Sequence, residues 1–232
     1  LSRQMVLRRE MDIVANNIAN ANTPSFKGER MVFREFLAQA TRGEALSFVQ
    51  DVGLARDFRE GPMTKTDNPF DLAISGDGYF IVDTPLGERY TRHGRFQIDA
   101  NGQLVTGQGY PVRGTAGPIN IPFDQGEINI AADGTISTAE GTFANLAIVN
   151  FEDQQALKRA ANNLYIADEE EPFAVEQPHV VQGMLEDSNV EPVLELTRMM
   201  TVMREYQSVG KFIQQEHDRQ KKAIERLGRP GA

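Results

Sequence analysis

The chain has 232 residues, 40% of them apolar and 25% charged, enough to bury a sizeable core in one large domain or two small ones. Its formal charge of −9 argues against nucleic acid as the main partner, because phosphate binding needs a concentrated basic surface. With no Cys there is no disulfide, thiolate nucleophile or thiolate-held metal, and apolar runs such as Leu146–Val149 are far too short for direct membrane insertion.

The spacing of Leu7, Met11, Val14, Ile18 and Ala21 alternates fours and threes, which keeps one apolar seam facing a partner helix. A helix is therefore predicted from residue 1 to about 21, stopped by Thr23-Pro24 because the residue before Pro is disfavoured in the α region. Asn16, Asn17 and Asn20 stand beside this seam although Asn is a poor helix former. Such amides cost stability when buried but fix register, as a polar residue in a coiled-coil seam does; facing solvent, or capping the helix end, they would do neither. Residues 1–25 lack the uninterrupted apolar core of a cleaved signal peptide. The stretch Met31–Ala40 reads as a short helix or an extended connector.

The period then changes to 2. Short strands are predicted at Leu72–Ile74, Tyr79–Val82, Arg95–Ile98, Ile119–Ile121, Ile128–Ile130 and Leu146–Val149. Asp77-Gly78, Leu86-Gly87, Asn101-Gly102 and Asp133-Gly134 punctuate them, and Asn-Gly and Asp-Gly tolerate the positive φ of tight hairpins. Regularly spaced short strands with turn signals indicate an antiparallel β domain. Asp168–Pro172 reads as a solvated acidic loop.

At the other end, Ser188-Asn189 is a candidate cap and Pro192 suits a first helical turn. Leu196, Met199, Met203, Tyr206, Gly210, Ile213, His217, Gln220, Ile224 and Leu227 follow in steps of three and four. Such a rod is about 54 Å long at 1.5 Å per residue, longer than a domain of this size houses comfortably. The ends also differ from the middle in charge: +2 on residues 1–30 and +3 on 192–232, against −14 on 31–191. The expected fold class is α+β: N- and C-terminal helices paired as a coiled coil, a discontinuous helical domain, with a central all-β antiparallel domain. The expected limits are 1–35 for the first helix and connector, 36–185 for the β domain and 186–232 for the long helix.

Nothing in the sequence assembles a catalytic site. His93, His179 and His217 are far apart, without metal-binding spacing. Gly107–Pro111 lacks the strand–turn–helix context of a phosphate loop, and Asp99–Gly102 lacks most ligands of a calcium loop, so both read as hairpins. No metal, no cofactor and no enzymatic activity are expected. The competing readings are a wall-active periplasmic enzyme with helical anchors, since carboxylates are numerous, and a β-rich adhesin on a coiled-coil stalk.

The segment Ala15–Lys27 (ANNIANANTPSFK) resembles the signature of the axial proteins of the bacterial flagellum: rod, hook and related subunits. Asn68–Phe80 (NPFDLAISGDGYF) and Tyr90–Phe96 (YTRHGRF) are similar to the β domain that rod and hook members share, and Asp187–Val193 to the entry of their last helix. Within the family the proximal-rod branch is favoured over distal-rod and hook-type proteins, on the short connector after Phe26 and the stretch from Gly117 to Ser137. The chain departs from the pattern at Ser25, where the family usually has Gly. The resemblance implies a structural subunit of the periplasm-spanning rod, exported by the flagellar type III apparatus without a cleaved signal peptide. It would pack against copies of itself and neighbouring rod proteins, the distal-rod protein included, and carry torque. The implied assembly interface comprises Leu7, Met11, Val14, Asn16, Asn17, Ile18, Asn20 and Ala21 on the first helix, and Leu196, Met199, Met203, Tyr206, Ile213 and Ile224 on the last.

Overall fold

A computed structural model describes residues 2–39, 45–121 and 126–227, with the side chains of residues 2, 33–39, 45–52 and 223–227 outside the description. The chain forms two compact units: Leu1–Ala19, Glu29–Ala55 and Glu191–Ala232 in one, Asn20–Gly28 and Arg56–Val190 in the other. The described residues are mostly β with a helix near each end, consistent with an α+β fold.

The first unit contains helix α1 (Ser2–Ala19), strands β1 (Glu29–Gln39) and β2 (Ala45–Arg56), which pair with each other, and helix α2 (Pro192–Leu227). Of the two readings of Met31–Ala40, the described part is extended, in keeping with the aromatic and β-branched content of β1. α1 stops at Ala19, two residues earlier than its seam suggested. Asn20 takes both the amide of Thr23 (3.0 Å) and its hydroxyl (3.2 Å), so the chain turns there instead of adding helix. α2 starts with Pro192, whose missing N–H costs nothing at a first turn, and its first helical bond runs from Glu195 N–H to Glu191 C=O, 3.1 Å. Ser188 and Asn189 do not cap it. They lie too far upstream; Ser188 Oγ accepts from Val190 N–H (3.2 Å) and the Asn189 side chain accepts from Gly28 N–H (2.8 Å).

The second unit carries the remaining strands. The first are β3 (Met63–Lys65), β4 (Leu72–Ile74), β5 (Tyr79–Thr84), β6 (Gly87–Thr91), β7 (Phe96–Ile98) and β8 (Leu104–Thr106). Next come β9 (Arg113–Gly114), β10 (Gly117–Pro118), β11 (Asn129–Ile130), β12 (Thr135–Thr138), β13 (Gly141–Asn145) and β14 (Ile148–Asn150). Last are β15 (Lys158–Arg159), β16 (Tyr165–Ile166), β17 (Phe173–Ala174), β18 (Val180–Gln182) and β19 (Met184–Glu186). Six form one antiparallel sheet in the order β15-β16-β6-β5-β14-β17, and β18 and β19 return from the far end of the unit to pair with β4 and β3.

The apolar run Tyr79-Phe80-Ile81-Val82 in β5 has its reason in this sheet, since successive side chains point to opposite faces and both faces are covered. Phe80 and Val82 join a core with Leu72, Ile74, Phe96, Leu104, Val112 and Ile119. Tyr79 and Ile81 join a second with Tyr90, Val149, Phe151, Leu157 and Tyr165. Edge-to-face pairs lock the rings: Phe80 on Phe96 at 5.1 Å, Tyr90 on Phe151 at 4.8 Å.

Leu86-Gly87, Asn101-Gly102 and Asp133-Gly134 lie in the hairpins β5–β6, β7–β8 and β11–β12, as predicted. Asp77-Gly78 does not close one, because β4 and β5 take different partners; it is the link between them. Residues 119–121 form no strand but a single bridge, Asn120 to Gln103, with Ile119 and Ile121 still pointing into the core. In the Asp99 turn the carboxylate accepts the amides of Asn101 and Gln103, both at 2.8 Å, so its oxygens serve the hairpin.

Candidate functional site

In the first unit α1 and α2 meet directly. Arg198 on α2 donates to Glu10 on α1 (3.0 Å). Asn17 on α1 donates to Glu195 on α2 (3.2 Å) and also makes a two-point contact with Glu29, accepting its N–H (3.0 Å) and donating to its C=O (2.8 Å). Asn17 is buried and makes three hydrogen bonds within the chain through its amide, while Asn16 is exposed on α1 and Asn20 is half-buried in the turn beyond it.

Of the apolar residues expected at an interface, Leu7 and Val14 are buried, and Met11, Ile18, Ala21, Met199 and Tyr206 are half-buried. Leu196, Met203 and Ile213 are exposed, and the side chain of Ile224 lies outside the description. Two buried residues escaped the sequence reading, Ile13 on α1 and Val202 on α2. Among the described residues, the large apolar α2 side chains withdrawn from solvent are Met199, Val202, Tyr206 and Val209, again spaced three, four, three. A second stripe of the same spacing, Val193, Leu196, Met200 and Met203, remains 75, 50, 51 and 46% exposed. α2 therefore has two apolar faces, and a three-four count along the sequence runs across both of them.

In the second unit the signature segments converge on buried charge. Arg92, from Tyr90–Phe96, donates to the carbonyls of Ile74 (3.0 Å), Gly76 (2.9 Å) and Gly78 (3.0 Å), all in Asn68–Phe80. Its Nε donates to Glu186 (2.8 Å), whose other oxygen accepts from Lys27 Nζ at 2.6 Å. All three side chains are at most 5% exposed. Burial alone raises the pKa of Glu186, but Arg92 and Lys27 outweigh it and hold the carboxyl below its ordinary value. Burial presses Lys27 below the ordinary lysine value, against the pull of Glu186. Ser25 sits beside them with φ 56°, donating its hydroxyl to Arg92 C=O (2.8 Å) and its N–H to Glu186 C=O (2.8 Å). A non-glycine residue at this φ is strained, and that hydroxyl bond offsets the strain in part. Gly94 is fixed for another reason: a Cβ there would lie 1.6 Å from Leu72 C=O.

Three family models match along the chain: "Flagella basal body rod protein" at residues 1–27, "Flagellar hook protein FlgE/F/G D1 domain" at 73–138 and "Flagellar basal body rod FlgEFG protein C-terminal" at 181–226. The chain is 42% identical to the flagellar basal-body rod protein FlgF of Caulobacter vibrioides, covering 99% of this chain and 96% of that one. It belongs to the flagellar basal-body rod protein family. Identity to the FlgF of Mesorhizobium japonicum is 34% over 98% of this chain and 95% of the relative. Identity to the FlgG of Bacillus subtilis is also 34%, over 88% of each. The chain is thus a FlgF-like rod-family protein, and the convergence on Arg92 gives the segments Asn68–Phe80 and Tyr90–Phe96 of this chain a physical reason to be spaced as they are. Lys27, Arg92 and Glu186 are functional candidates that composition could not find, since charged side chains are exposed by default. The available signal was Lys27 and Arg92 lying inside the signature segments themselves.

Proposed function

We propose that this chain is a non-enzymatic structural subunit of the proximal rod, built into the axial shaft through its terminal helices. In this reading α1 and α2 pair as a coiled coil through Leu7, Val14, Met199, Val202 and Tyr206. The second stripe of α2, Val193, Leu196, Met200 and Met203, is then the surface that meets neighbouring rod subunits. The observation that carries the reading is that stripe: four large apolar side chains at helical spacing, 46 to 75% exposed, on a helix whose adjoining face is already in use. Completing their burial gains on the order of 1 kcal/mol each, enough to bias assembly when repeated around a closed tube of subunits. Asn16 on α1 is exposed and suited to setting register with a neighbour, whereas Asn17 sets it within the chain. Membership of the rod family supports a place in the basal body, neighbours among rod proteins of the FlgF and FlgG kinds, delivery by the flagellar type III apparatus, and transmission of torque along the shaft.

The test uses Leu196→Asp/Met203→Asp in the full chain. Helix content by circular dichroism should stay at the wild-type level in the isolated protein, while recovery of the subunit in purified basal bodies falls to background. Normal recovery of the double variant would refute the assignment of this face.

A further inference from the structure

The chain passes from one unit to the other four times, after Ala19, Gly28, Ala55 and Val190. Within the second unit the stretches next to these passages are tied together by a few side chains. The Asn189 amide accepts from Gly28 N–H (2.8 Å) and donates to the carbonyls of Asp57 (2.7 Å) and Arg59 (2.9 Å). Its backbone N–H reaches Phe26 C=O (3.2 Å), and Asp57 N–H reaches Gly28 C=O (2.8 Å). One side chain therefore joins the second, third and fourth passages. The first is held nearby, Pro24 C=O by Asn163 Nδ2 (3.0 Å) and Ser25 by the carbonyls of Arg92 and Glu186. Glu186, four residues before the last passage, adds the amide of Gly61 (3.1 Å) and the two buried cations, and Lys27 continues to Arg59 C=O (2.7 Å). Gly61 has no room for a side chain, because a Cβ would lie 2.0 Å from Asp187 C=O.

We propose that Asn189 and Glu186 form a clasp that makes the stretches next to all four passages one cooperative element. Breaking the Glu186 pairs leaves buried charges without a partner, and removing the Asn189 side chain takes a partner from Gly28 N–H and from the carbonyls of Asp57 and Arg59, so the stretches hold together and open together. A load arriving along one passage is then shared by the other three instead of peeling the strand on which it arrives. The mechanical purpose rests on the rod-subunit reading; the cooperativity does not, and it is measured on the isolated chain.

The test is native-state hydrogen exchange of the full chain, wild type against Asn189→Ala. The amides of Ser25, Gly61 and Asp187 do not touch the Asn189 side chain, and Asp187 N–H is bonded to Pro62 C=O (2.8 Å). They should nevertheless speed up together with Gly28, by a common factor of about tenfold or more, while Phe80 and Val82 in β5 keep wild-type protection. Should Asn189→Ala not fold, Ser25→Ala is the milder reciprocal: Gly28 and Asp57, which Ser25 does not touch, should speed up. Faster exchange at Gly28 alone would overturn the clasp, and so would an equal rise over the whole unit, β5 included.

Discussion

Among the glycines of the second unit, the one with least room for a side chain is Gly94, and the perturbation is Gly94→Ala. A Cβ on Gly94 would stand 1.6 Å from Leu72 C=O, 2.7 Å from its carbonyl carbon and 3.3 Å from its Cα. No rotamer relieves a Cβ, so the backbone must separate by roughly 1.5 Å to reach contact distance. That movement breaks the bond from Leu72 N–H to Gly94 C=O (2.9 Å), strains the adjoining bridge between Asp71 and Arg95, and pulls the fully buried Leu72 from the core. Overpacking costs about 1–3 kcal/mol, and each buried bond left open about 1–3 more, so the expected total is about 3–5 kcal/mol. For a unit of this size that is a fall in Tm of about 10–15 °C. The chain has no Trp and five Tyr, four of them in the second unit, so urea and thermal unfolding followed by tyrosine fluorescence report on it. The control is Gly107→Ala, where an added Cβ meets nothing within 4 Å and no change is expected. A Gly94→Ala variant within 1 kcal/mol of wild type, roughly, would refute the steric argument.

Other expectations follow from the same geometry. Ser25→Ala keeps the left-handed backbone and loses the hydroxyl bond, costing about 1–2 kcal/mol, whereas Ser25→Gly trades that bond for relief of strain and stays within about 1 kcal/mol of wild type; urea midpoints separate the two. Because the folded-state pKa of Glu186 is depressed, its contribution is complete above the ordinary glutamate value near 4.5 and is lost as pH falls through the lower folded value. The stability difference between wild type and Glu186→Gln should therefore be constant from pH 7 to 5 and shrink under more acidic conditions; a pH-independent difference would show that the carboxylate charge is not what matters. Asn17→Ala opens both ends of the contact with Glu29 and should cost about 1–3 kcal/mol, with faster exchange at the Glu29 amide.

The helices were legible because a 3.6-residue period leaves its mark on every turn, and the hairpins because Asn-Gly and Asp-Gly announce positive φ. The register of α2 was not legible. Two apolar stripes side by side satisfy the same count, and only burial separates Val202, which is covered, from Met203, which is open. Ser188 and Asn189 carry the chemistry of caps, but Asn189 is used by Gly28, Asp57 and Arg59, partners more than a hundred residues away in sequence. Asp77-Gly78 failed as a hairpin signal for a related reason: β18 comes back from the end of the unit to claim β4. The buried trio of Lys27, Arg92 and Glu186 was equally hidden, because what makes it stable is long-range pairing, and a local pattern carries no record of that.

The central claim is that the exposed stripe of α2 is where this subunit joins the rod. Electron cryomicroscopy of purified basal bodies, at a resolution that shows side chains, tests it most directly. The expected result is a subunit in the proximal rod with Val193, Leu196, Met200 and Met203 buried against neighbouring subunits. A subunit found there with that stripe facing open space, or a rod built without the subunit, would contradict it.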